Sequence, residues 1–243
     1  MQGPEGEFQQ VHPPQQQQDN FSQGYIPAPN QKGPNYLMIG GICITIGLIL
    51  TASITVIVVL SDGGTSSVYN IGTSEGKQVP NFFADAHGAS GWESFNLYDN
   101  LKNDQYILIQ FIDTDCPHCW SDAASISDSY SQYGVNGNVT FITVASGMLA
   151  TDHSRAEIVA FQGKEYFEGC YRDERNCADR PGDVHDWLYV DDNDMQIFDA
   201  YSLPGVPFHL LLDSNGIVVW NQQQHSQGDP LHELNDALNY FVG

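Results

Sequence analysis

Apolar residues are sparse over the first 35 positions of the chain, run without a single charge through residues 36–60, and from residue 79 onward alternate with polar ones. Within that last part the pattern predicts discrete elements. Residues 106–112 (Tyr-Ile-Leu-Ile-Gln-Phe-Ile) form a nearly continuous apolar run, suited to a strand buried on both faces. Helical spacing follows over 121–133, ending near Gly134, and a second β-branched strand over 139–144. A helix over 152–162, a short strand over 187–190 and a short helix over 193–201 come next. Two strands, 208–212 and 217–220, are joined through Asp213-Ser214-Asn215-Gly216, and Asn-Gly between apolar runs signals a hairpin. Leu231, Leu234, Leu238 and Phe241 share one face of a closing helix. The order β-α-β-α-β-α-β-β-α is an α/β layer structure, not a sandwich or a bundle.

The three preceding segments are of other kinds. Residues 1–35, rich in Pro, Gln, Gly and Asn, cannot bury enough apolar surface to offset ordering entropy and are expected to be a disordered tail. As a helix, residues 37–60 would span about 36 Å, enough to cross a hydrocarbon core of about 30 Å. The segment has no basic start and no small-residue cleavage site, so an uncleaved anchor over 36–60 is expected rather than a removed signal. Lys32 precedes it and the next basic residue is Lys77, which puts the N-terminus on the cytoplasmic side. Residues 61–78, led by Asp-Gly-Gly-Thr-Ser-Ser, read as a flexible tether. Residues 79–243 suit one core of ordinary domain size.

Composition narrows the partners. With 30 Asp and Glu against 8 Lys and Arg, the formal net charge of −22 repels nucleic acid, which is held through neutralised phosphates. Five cysteines are present. Cys43 lies in the apolar segment, where it serves as a small apolar residue. The others form two close pairs, Cys116 with Cys119 and Cys170 with Cys177. Outside the cytoplasm such pairs read as disulfides or as a redox couple; in the cytosol they would lean towards metal binding or catalysis.

The first pair carries the sharpest chemical signal, Cys116-Pro117-His118-Cys119, placed between a strand and a helix. A helix beginning at Cys116 aims its unpaired N–H groups and dipole at the sulfur and stabilises a thiolate. Pro117 suits the first turn, where its missing N–H costs nothing. A protonated or hydrogen-bonding His118 adds to the same effect. Cys119, one turn deeper, is placed to resolve a mixed disulfide on Cys116. Two other readings use the same spacing: a structural bridge, or half of a zinc site completed by Cys170 and Cys177, whose six-residue gap departs from usual zinc spacing.

About 90 residues on, Tyr-Ser-Leu-Pro-Gly-Val-Pro (201–207) leads into the strand and hairpin. Strand, C-P-x-C, G-V-P and D-x-N-G hairpin, in that order, resemble the thioredoxin superfamily over residues 79–243. The resemblance implies a thioredoxin fold, a central mixed sheet flanked by helices. It implies a cis bond before Pro207, with the backbone of Val206 beside the disulfide and the substrate peptide. Val-Pro-Asn-Phe (79–82), a lead-in strand, is similar to the membrane-tethered TlpA and ResA type, whereas Pro117-His118 is similar to DsbA. The expectation is a thiol–disulfide oxidoreductase needing no cofactor and no metal. It would act on protein thiols and disulfides in the extracytoplasmic domain of a single-pass cell-membrane protein, with a membrane redox partner as electron donor if it works as a reductant.

Three features depart from the family. Where thioredoxin has a buried proton-handling Asp in the motif strand, this chain has Gln110. Asp115, with Asp113 nearby, replaces an aromatic residue before the first Cys, and both carboxylates oppose a thiolate. Residues 163–186 form an insertion with Cys170, Cys177, Lys164, Arg172, Arg175 and Arg180. This is expected to be a surface loop stapled by a Cys170–Cys177 disulfide, and it could recognise an acidic partner. Asp-Asp-Asn-Asp at 191–194 lacks the Gly and Glu of a calcium loop and reads as a helix cap. Two rivals remain: a copper metallochaperone using Cys116, Cys119 and His209, and a redox-silent interaction module.

Overall fold

The computed structural model describes residues 70–101, 105–149 and 154–243. The expected tail, the expected anchor and residues 61–69 of the expected tether lie outside the described residues. Among the described residues no helix is long and apolar enough to cross a membrane.

The strands are β1 (Phe83–Gly88), β2 (Gly91–Asn96), β3 (Tyr106–Ile112), β4 (Val139–Ser146), β5 (Glu168–Gly169), β6 (Arg175–Asn176), β7 (Leu188–Asp192), β8 (Phe208–Leu212) and β9 (Val218–Asn221). The longer helices are α1 (Pro117–Ser129), α2 (Arg155–Gly163), α3 (Gln196–Tyr201) and α4 (Leu234–Phe241). Seven strands make one mixed sheet in the order β2-β1-β7-β4-β3-β8-β9. β3, β4 and β7 are parallel, and the outer pairs are antiparallel. Parallel neighbours joined by helices make the α/β layer structure that the order of elements predicts, and the closing antiparallel hairpin makes it the thioredoxin-like arrangement that the resemblance implies.

β3 is central because its sequence has no wet face: every residue after Tyr106 is buried. Leu108 and Ile112 pack under Trp120, Ala123 and Ile126 of α1, Ile158 and Phe161 of α2 and Leu238 of α4. Ile107, Ile109 and Phe111 point to the other face, against Ile197, Phe198 and Tyr201 of α3 and the lead-in residues Val79 and Phe82. Gln110 lies in register with Leu108 and Ile112, on the face that α1 covers.

The structure departs from the sequence pattern at three places. The lead-in residues 79–82 form no strand; the added pair is the hairpin β1–β2 beyond them, with Phe83 paired to Asn96. Residues 70–78, expected as tether, are bonded to the domain: the Gly76 N–H donates to Val218 O, and the Val218 N–H donates to Lys77 O. The reason is that β9 ends the sheet, and its outward N–H and C=O groups need partners. The insertion 163–186 carries the Cys170–Cys177 disulfide, but Arg180 is not on its surface. Its side chain is wholly buried and donates to the carbonyls of Phe161, Gln162, Pro181 and Asp183 and to His185 Nε2. Lys164 Nζ donates to Gly182 O. Two of the four basic residues therefore hold the insertion in place, which weakens its reading as a basic face for an acidic partner.

Asp192 of the acidic run works as an accessory cap. Its carboxylate accepts from the N–H groups of Ile197 and Phe198 at the start of α3, and from Ser146 Oγ.

Candidate active site

β3 delivers its chain end to the N-terminus of α1, and the turn between them carries Asp113, Thr114 and Asp115, all buried. Cys116 is the cap residue of α1: its Sγ accepts from the Cys119 N–H at 3.4 Å, and Pro117 fills the first turn. Cys116 and Cys119 are both buried free thiols, Cys116 with 4% of its surface exposed. The Cys116 thiol is lowered to about 6, mainly by the hydrogen bond from the Cys119 side chain and further by the N–H groups of Cys119 and His118. Burial and Asp113 work against that shift. Cys119 is pushed far above its ordinary range, first by burial and then by the bond it makes to Cys116. The two sulfurs thus divide their roles: the outer is the better thiolate and the inner keeps its proton.

Among the sequence-identified residues, His118 contributes its backbone to this arrangement, and its ring is exposed. The Val206–Pro207 bond is cis, and the Val206 carbonyl lies 3.6 Å from Cys116 Sγ, so the two chain segments meet at the sulfur. Cys170 and Cys177 are paired. His209 is not brought to the cysteines as a metal ligand. Its Nδ1 faces Gln222 Oε1 at 3.0 Å and its Nε2 faces Asp122 at 3.2 Å. No cluster of three potential metal ligands occurs among the described residues.

That contact exposes a group missed in the sequence. Asp122 lies three residues beyond Cys119, on the face of α1 that covers Gln110. Gln110 Nε2 donates to Asp122 Oδ2 at 3.0 Å, while Gln110 Oε1 accepts from Thr143 Oγ1, which in turn accepts from Trp187 Nε1. Burial alone would raise the Asp122 carboxyl, but His209 and Gln110 more than offset it and the net shift is downward. His209 shifts upward because Asp122 outweighs the burial that disfavours its charge. The helical i, i+3 spacing from Cys119 was the available signal.

The second missed feature is the tip of the insertion. β5 and β6 form a small hairpin, and Cys170 and Cys177 close it. At its tip Tyr171, Arg172 and Asp173 all have left-handed φ, near +60°. The Tyr171 N–H donates to Thr114 O, the Arg172 N–H to Asp115 O, and the Asp173 N–H to Asp115 Oδ1 at 3.1 Å. Tyr171 also packs edge-on to Trp120, and Arg175 lies 4.4 Å over the Tyr171 ring. Left-handed non-glycine residues cost about 1–2 kcal/mol each. Three hydrogen bonds at about 1 kcal/mol apiece and about 2.5 kcal/mol of closure entropy for so short a loop offset that strain.

No family model matches the chain, and no curated protein matches it. Solved structures are similar in fold. The thioredoxin domain of a thiol-disulfide oxidoreductase from Bacteroides vulgatus is 19% identical, with 70% of this chain and 99% of that one covered at a TM-score of 0.47. A thiol-disulfide oxidoreductase from Bacteroides fragilis is 17% identical, with 68% and 100% covered at 0.48. A 2-Cys peroxiredoxin from Plasmodium vivax is 18% identical, with 68% and 81% covered at 0.46.

Proposed function

We propose that this chain is a protein thiol–disulfide oxidoreductase, held at a cell membrane by the single helix expected over 36–60. Its N-terminus would be cytoplasmic and its thioredoxin-like domain outside the cytoplasm. One observation carries the reading: two buried free thiols stand at the start of α1, the outer, Cys116, accepting from the Cys119 N–H at 3.4 Å and meeting the Val206 carbonyl at 3.6 Å, the inner, Cys119, a turn deeper; the downward shift of the first thiol and the upward shift of the second agree with it.

The chemistry follows from that asymmetry. The Cys116 thiolate attacks one sulfur of a substrate disulfide; the substrate S–S bond breaks, and its other sulfur leaves with the electron pair. Cys119 then loses its proton and attacks Cys116 Sγ. The mixed disulfide breaks, a second substrate thiolate leaves, and the Cys116–Cys119 bond forms. Two electrons have passed to the substrate; run in reverse, the same steps oxidise a substrate dithiol. The Val206 carbonyl and Pro207 border the sulfur where the substrate backbone would lie. A lowered thiol stabilises the dithiol form and tilts the couple towards accepting electrons.

The test is exchange with a model protein disulfide such as insulin. Cys116→Ser abolishes turnover, and Cys119→Ser accumulates a mixed disulfide through Cys116; turnover by Cys116→Ser at the wild-type rate refutes the assignment. Membrane fractionation, with protease accessibility of the C-terminal domain in sealed vesicles, tests the tether and its orientation.

A further inference from the structure

We propose that the stapled hairpin β5–β6 is a positioning device for Cys116, its left-handed tip holding the turn from which the nucleophile emerges, so that the Cys170–Cys177 bond governs how Cys116 reacts. The proposal rests on the reading of Cys116 as the attacking thiol.

Three observations converge on it. First, the tip is hydrogen-bonded to the two residues before Cys116: three successive N–H groups go to Thr114 O, Asp115 O and Asp115 Oδ1, while Tyr171 packs edge-on to Trp120 of α1. Second, one of the three acceptors, Asp115 Oδ1, belongs to a buried carboxylate next to the nucleophile. The charge of such a carboxylate opposes the neighbouring thiolate, and an N–H bonded to it draws off part of its field. Third, the tip conformation is unfavourable in itself. Among the described residues, only here do three non-glycine residues in a row adopt positive φ. Strain of this kind persists where surrounding bonds over-determine it, and the clip between Cys170 and Cys177 closes around the strained residues. Once the clip opens, the tip relaxes, its N–H groups withdraw from Asp115, and the thiolate of Cys116 is disfavoured.

The test follows alkylation of Cys116 by iodoacetamide as a function of pH in the full chain, read on its own peptide by mass spectrometry, together with the Cys116–Cys119 potential against glutathione. Three variants are compared: Cys170→Ser/Cys177→Ser, Asp173→Pro and Asp173→Gly. The first opens the clip. The second deletes the N–H given to Asp115 and, with φ fixed at about −65°, cannot hold the left-handed tip. The third keeps that N–H and suits the left-handed φ. The serine and proline variants are expected to raise the alkylation midpoint by about one pH unit or more and to make the couple more reducing, a tenfold change corresponding to about 30 mV. The glycine variant is expected to titrate as wild type. Wild-type curves for the proline or serine variants, with the fold intact by circular dichroism, overturn the proposal. Where the serine variant does not fold, the contrast between proline and glycine decides. If the curves separate as expected but the wild-type protein exchanges no disulfides, the positioning role stands and the oxidoreductase reading falls.

Discussion

Replacing Asp122 by Asn isolates the buried network beneath the cysteines. The substitution keeps an oxygen for Gln110 and removes the charge that faces His209. Asp122 is 22% exposed and His209 5%, so the pair is mostly but not wholly out of water. Stripping one partner from a fully buried pair costs about 3–5 kcal/mol; the residual solvation of Asp122 brings this to about 2 kcal/mol. For a domain of about 165 residues that is a loss of about 4–8 °C in Tm. The sign with pH follows from the two shifts. His209 is raised above 6.5, so its contribution is complete below 6.5 and fades as pH rises through its folded value. Asp122 is lowered below 3.8, so its contribution is complete above 3.8 and fades as pH falls through its folded value. The pair is therefore intact near pH 5.5, and the Asn variant loses most there and little at pH 9. Thermal melts of wild type and variant by near-ultraviolet circular dichroism at the two pH values check this. An equal deficit at both, or none at pH 5.5, would refute the charge-pair reasoning.

Other outcomes follow from features already described. Cys116 in the reduced protein should alkylate half-maximally near pH 6, while Cys119 stays unreactive through pH 9, as differential labelling would show. Arg180→Met removes a buried cation but strands several carbonyls and His185, whose ring burial and Arg180 hold neutral at about 3. A loss of about 3 kcal/mol or more in urea denaturation is expected. Gly182 has φ +78, and a Cβ there would meet Ala123 O and Ala124 Cα at 2.7 and 2.6 Å, so Gly182→Ala should cost about 2–4 kcal/mol in the same assay. His225 holds Glu75 at 2.7 Å and shifts upward: burial opposes the shift, and the bonds to Glu75 and Asp229 outweigh it. The contribution of His225 is present below pH 6.5 and lost above its folded value. After correction for intrinsic rates, amide exchange across residues 70–78 should therefore quicken at pH 9 relative to pH 6, and His225→Gln should abolish the difference.

The strands around the site were legible because burial on both faces leaves a run such as Tyr106–Ile112 with no polar interruption but Gln110. The Asn-Gly turn, with Asp213 Oδ1 accepting from the N–H groups of Asn215 and Ile217, fixed the hairpin. The hairpin β1–β2 was hidden because it lies at the sheet margin, where Phe83 can face water and small polar residues suffice. The tether was drawn too long for a related reason: Gly, Ser and Thr between 70 and 78 bond through their backbones, which composition does not reveal. Cys116, Cys119, Val206 and Pro207 meet as their motifs implied. Asp122 went unnoticed as one acid among many: its i, i+3 spacing from Cys119 was the one signal in the sequence, and contact with Gln110 and His209 is what sets it apart in the fold. The insertion misled in the opposite sense, because a count of basic residues says nothing about Arg180 turning inward.

Gln110 stands opposite Thr143 on one side and His209 on the other, so a single polar row crosses the three strands β4, β3 and β8 at the centre of the sheet. Strands that are greasy on both faces can slide past one another at little cost in burial, since any alignment hides them equally well. A slip of one residue would push Gln110 to the opposite face, among Ile107, Ile109 and Phe111, and part it from Asp122. The row thus acts as an index mark along the sheet. It sets the alignment at which the end of β3, and with it Cys116, arrives beside Val206.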